Sequence, residues 1–81
     1  MLRITIELLP LGDRENAQHL GTIHIANDGS GTRSKGNYNA VLFDKAGKRY
    51  KETRIEEFPR KRLLAFDLLF RVLRAAFGHR N

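Results

Sequence analysis

The sequence predicts an α+β fold, a four-stranded antiparallel meander followed by one long C-terminal helix packed on one face of the sheet. Two changes of pattern carry that expectation. Residues 2–8 alternate apolar with polar side chains at period two, whereas the stretch from about Pro59 to Phe77 repeats at the helical period of about 3.6. Between them, Gly, Asn, Asp and Pro clusters divide the chain into short runs of strand length. At 81 residues this is one domain, 1–81, of a size at which a single core is marginal without a disulfide, a metal or a partner.

The first strand sets Leu2, Ile4, Ile6 and Leu8 on one side and Arg3, Thr5 and Glu7 on the other, the pattern of a half-buried antiparallel strand. Pro10 and Gly12 end it, and residues 13–18 are too short and polar for a packed helix. A second strand runs roughly over 19–26, with Gly21, Ile23 and Ile25 inward and Thr22 and His24 outward. Asn27-Asp28-Gly29-Ser30-Gly31 reads as turn chemistry, because these residues tolerate positive φ. The third strand, 38–44, carries apolar residues on both faces: Tyr38, Ala40 and Leu42 on one, Val41 and Phe43 on the other. That argues for a central place in the sheet. Lys45-Ala46-Gly47-Lys48 is a hairpin loop with Gly47 for the left-handed position, and 49–55 is a charged fourth strand suited to an edge.

The helix is expected to open at Pro59, whose fixed φ and missing N–H suit the first helical position, and to stop at Gly78. Nineteen residues then make a rod of roughly 28 Å. On an ideal wheel Arg60, Asp67, Arg71 and Arg74 form a narrow polar stripe. Leu63, Phe66, Leu69, Phe70, Leu73, Ala76 and Phe77 lie opposite, with Leu64, Leu68 and Val72 on the flanks. A sheet covers only one side of such a helix. The expected surplus, Leu64, Leu68, Leu69, Val72 and Ala76, is therefore assigned to a dimer or partner interface, with a homodimer through the helix as the first choice.

Charge divides the chain unequally. Residues 1–32 hold two basic against four acidic side chains, and residues 33–81 hold thirteen against five, giving the net charge of +6. Such asymmetry points to an anionic partner, nucleic acid or an acidic protein. Arg60, Lys61 and Arg62 at the expected helix start would oppose the macrodipole, which calls for an anion there. Arg49, Lys51 and Arg54 would extend that anion site, and Arg33, Lys35 and Lys48 would add phosphate contacts.

Catalytic and cofactor signatures fail on spacing. Gly31 and Gly36 have the separation of a phosphate-binding loop, but Asn37 and Tyr38 follow where Lys and Ser or Thr are needed, and a strand follows rather than a helix. Tyr38 and Phe43 are five apart and so face opposite ways, unlike the paired aromatics of RNA-stacking sheets. His19 and His24 are likewise on opposite faces, Glu56 and Glu57 point apart, and there is no Cys. No catalytic residue, metal site or cofactor is expected. The opening residues lack the continuous apolar run of a signal peptide and 63–77 is too charged to span a bilayer, so the expectation is a cytoplasmic protein with no membrane span. The leading expectation is a non-enzymatic, homodimeric binding module whose basic half docks an anionic partner, nucleic acid foremost. The alternative is a protein-interaction or assembly subunit that uses the surplus apolar helix surface and has no nucleic-acid role.

Overall fold

The computed structural model describes residues 1–11, 16–62 and 65–78, for Arg62 the backbone alone. Four strands follow one another, β1 (Leu2–Leu8), β2 (Gln18–Gly31), β3 (Lys35–Asp44) and β4 (Arg49–Pro59), and a 3-10 turn (Arg60–Arg62) leads to the helix α1 (Ala65–Phe77). The strands pair antiparallel in the order β1-β2-β3-β4, so the fold is the expected α+β meander, with β3 internal and β4 at an edge.

Register sorts the side chains. Leu2, Ile25, Ala40 and Thr53 form one row across the sheet and Ile4, Ile23, Leu42 and Lys51 another, both facing α1. The rows Arg3-His24-Val41-Glu52 and Thr5-Thr22-Phe43-Arg49 face the other way. The core is Ile23, Ile25, Tyr38, Ala40, Leu42, Ile55 and Phe58 from the sheet, closed by Leu68, Val72 and Ala76 of α1. On the outer face His24 and Phe43 shield each other, ring centroids 4.8 Å apart.

Residues 27–31 do not form the turn that their composition predicts. They are the bulged end of β2, where three residues fit between the pairs Asn27–Tyr38 and Gly31–Gly36 against Asn37 alone. The side chains close this bulge on itself: Gly29 N–H donates to Asn27 Oδ1 at 2.7 Å and Ser30 N–H to Asp28 Oδ1 at 2.8 Å. The chain reverses later, where Thr32 N–H donates to the Lys35 carbonyl at 2.8 Å. Gly31 is required there twice over, since its φ is +111° and a Cβ would lie 2.5 Å from the Lys35 carbonyl oxygen.

The helix start also differs from expectation. Pro59 is the last residue of β4, paired with Lys35, and α1 begins at Ala65. Two constraints keep Phe58 to Arg60 out of the helix. The residue before a proline avoids the α region, so Phe58 stays extended. Arg60 N–H is then held by the Ser34 carbonyl at 2.8 Å, which ties the chain to the β2–β3 hairpin. With thirteen residues the helix is about 20 Å long rather than 28 Å. It ends as expected, with Gly78 N–H donating to the Arg74 carbonyl at 2.7 Å.

α1 packs mainly along β4. It therefore covers the sheet unevenly: Leu2 and Ile4 of β1 are half-buried, and Ile6 and Leu8 are exposed.

Candidate interaction surfaces

The structure divides the described cations of the assigned anion site among different places. Arg49 and Arg54 project from the open face of the sheet, Lys51 stands in the row that faces α1, and Arg60 folds over the β2–β3 hairpin. Most of them are engaged by neighbours. Arg49 pairs with Glu52. Arg54 reaches Asp28 at 2.6 Å, Glu56 at 3.0 Å and the Asn39 side-chain oxygen at 3.3 Å. Its guanidinium pKa is raised, first by the bond to Glu56 and then by that to Asp28.

Asp28 shows the reciprocal effect. Its carboxyl is lowered to about 2, chiefly because the Ser30 hydroxyl and N–H donate to it, with Arg54 adding to the effect. Lys35 lies 3.7 Å from Glu57. Arg60 Nε–H donates to the Thr32 carbonyl at 2.9 Å, and its guanidinium lies against the Gly36 backbone. The Lys51 ammonium stands 5.5 Å from the centre of the Phe77 ring. Lys61 is exposed, and the Arg62 side chain lies outside the described residues.

The three cations expected in the first helical turn do not lie in α1. Arg60, Lys61 and Arg62 occupy a 3-10 turn before α1, and the first turn of α1 carries Asp67, the sign that suits a helix N-terminus. Arg60 is a strap on a hairpin.

The apolar surplus exists, but on a different side of the helix. Leu68, Val72 and Ala76, expected at an interface, lie against the chain's own sheet, and Leu69 packs at the margin of that core. Leu64 lies outside the described residues. Phe66 and Phe70, not among the residues assigned to an interface, are 71% and 63% exposed, and Phe77 is 40% exposed. The physical reason is close packing. Val72 and Ala76 are short, and in a core that also holds Ala40 they let the helix settle on the sheet, whereas phenylalanine would hold the two layers apart. An apolar arc covering most of a helix does not define which of its edges faces inward, so the wheel alone was indifferent between the two. The small residues in the arc were the available signal.

Phe70 and Phe77 each border a cleft. One, of about 320 Å³, lies between Phe70 and the end of β4 at Phe58 and Pro59, rimmed by Asp67, Arg71 and Arg74. The other, of about 290 Å³, runs from Leu73 and Phe77 to Ile6, Leu20 and Leu42 and is almost wholly apolar. Tyr50, also exposed, stacks on Phe77 with ring centroids 6.2 Å apart. The surface thus continues from α1 to both sheet edges.

Among the described residues no group of three His, Asp or Glu is placed to hold a metal ion, and no helix is long and apolar enough to cross a membrane. Comparison with protein families, with curated proteins and with solved structures finds no match.

Proposed function

We propose that this chain is a small, non-enzymatic protein-interaction module that docks a protein partner on the exposed flank of α1. The observation that carries the reading is the pair Phe66 and Phe70, one helical turn apart and both mostly exposed although α1 already buries a separate face in its own core. Exposed aromatic anchors on a rigid helix, bordered by a cleft with a charged rim, are the features of a protein-binding surface. The lack of cysteine fits a reducing cytoplasm as the place of action.

The nucleic-acid reading retains one support, the net charge of +6 with Lys45, Lys48 and Lys61 exposed. It ranks second because Arg49, Arg54 and Arg60 already spend their contacts on neighbouring groups. Titration of labelled oligonucleotides at low and physiological salt tests it, since phosphate contacts make binding fall steeply as salt rises.

Photo-cross-linking in the source cells tests the leading reading. With Phe70→benzoylphenylalanine the expected product is a discrete protein adduct, and with the photoreactive residue at Lys45, in the β3–β4 loop, the adduct is absent. Equal labelling from both positions, or none from either, contradicts it.

A further inference from the structure

β1 and β4 are the two edges of the sheet, and they are built in opposite ways. β4 carries Arg49, Lys51, Glu52, Arg54, Glu56 and Glu57 among its eleven residues and ends in Pro59. It is also bulged twice, at Tyr50 and at Glu56–Glu57, and Glu57 adopts a left-handed φ of 55°. Charge, proline and bulges all blunt a strand edge against pairing with another chain.

β1 has little of this protection: its only charges are Arg3 and Glu7, both on the outer face. Its seven residues include no proline and no inward charge, and they keep a regular alternation. The one irregularity beside it, between Ile6 and Glu7, places the extra residue, Leu20, on β2. Among the described residues no strand pairs with the outer edge of β1. Ile6 and Leu8 on its inner face are 40% and 56% exposed.

The chemistry of β1 is symmetric about its midpoint, Thr5. Set β1 antiparallel to β1 of a second copy, with the two Thr5 residues opposite each other. Arg3 then faces Glu7 of the second copy and Glu7 faces its Arg3. Leu2 meets Leu8 and Ile4 meets Ile6, so every residue of the strand opposes one on the same face. A slip of two residues parts the charges and sets Arg3 or Glu7 against Thr5, and a slip of one sets apolar against polar side chains. Only the register centred on Thr5 satisfies both charges and faces.

From this complementarity we infer that β1 is a homodimer seam, at which a second copy of this chain pairs antiparallel about a two-fold axis through Thr5 and joins two four-stranded sheets into one of eight strands. The closed symmetry uses up the exposed edge and covers Ile6 and Leu8 with Leu2 and Ile4 of the second copy. The seam shares Ile6 with the cleft beside Phe77 but does not include Phe66 or Phe70, so either proposal stands or falls without the other.

The absence of native cysteine makes a direct test available. Opposed residues of an antiparallel pair have Cα atoms about 4.5–5.5 Å apart, within disulfide reach. Thr5→Cys is expected to form a disulfide-linked dimer under mild oxidation, while Lys48→Cys, equally exposed on the β3–β4 loop, stays monomeric under the same conditions. In sedimentation equilibrium at micromolar concentration, Arg3→Glu and Glu7→Arg should each weaken the dimer about tenfold or more, because each sets like charges opposite one another twice. The double variant should restore near wild-type association. All three positions are exposed, and an unchanged circular dichroism spectrum checks that the fold is kept. Cross-linking of Thr5→Cys no faster than that of Lys48→Cys, a wild-type monomer throughout the micromolar range, or a double variant as weak as the singles would overturn the inference.

Discussion

Arg54 on β4 reaches over β3 to Asp28 in the bulge of β2, with 2.6 Å between Nη1 and Oδ2, and also meets Asn39 on the strand it crosses. The contact ties an edge strand to the β2–β3 hairpin on the open face of the sheet. It also makes Arg54 a structural residue before it is a binding one.

The Asp28 carboxyl is lowered from 3.8 to about 2, and the sign of the consequence follows. A depressed carboxylate stabilises the fold above its unfolded-state pKa, and that contribution is lost as pH falls toward the folded one. Thermal melts of wild type and Asp28→Asn should therefore differ by a constant amount above the ordinary value of 3.8, and the difference should shrink as pH falls to about 2. A difference that persists undiminished at the lowest pH would show that the carboxylate charge is not what holds the bulge.

The face of α1 that packs on the sheet can be checked by stability alone. Val72 is fully buried, and Val72→Ala should cost about 2 kcal/mol in urea unfolding. The paired change Phe66→Ser and Phe70→Ser should move stability by no more than about 0.5 kcal/mol, since both side chains are largely in water and serine and phenylalanine have similar helix propensities. A reversed ranking would place the Phe66 and Phe70 side of α1 against the sheet instead.

Arg60 gives a third expectation. Its Nε–H bond to Thr32 and its position over Gly36 belong to the hairpin, so Arg60→Gln should cost about 1 kcal/mol of stability. Lys61→Gln, at an exposed position, should cost almost nothing. Parallel chemical denaturation of the two variants makes the comparison.

The alternation of β1, the doubly apolar β3 and the charged β4 were each legible in the sequence, because the number of apolar faces on a strand reports its place in a sheet. The end of β2 was not legible, since Asn, Asp and Gly serve a side-chain-closed bulge as readily as a turn. Pro59 misled for a similar reason: its missing N–H suits the end of an edge strand as well as the first turn of a helix. The cations of the expected site were visible as charge, but whether Arg54 meets solvent or Asp28 depends on a register that joins residues on strands two apart. Phe66 and Phe70 were visible as apolar, and only the packing of Val72 and Ala76 turns them outward.

Isolation of the tagged chain from its own cells tests whether the exposed flank of α1 takes a protein partner. Wild type and the Phe66→Ser, Phe70→Ser variant would be purified side by side, with the co-purifying protein quantified and nucleic acid measured by ultraviolet absorbance. One stoichiometric protein partner is expected with wild type, lost from the variant although the variant remains folded. Nucleic acid retained equally by both forms, with no protein partner on either, would contradict it.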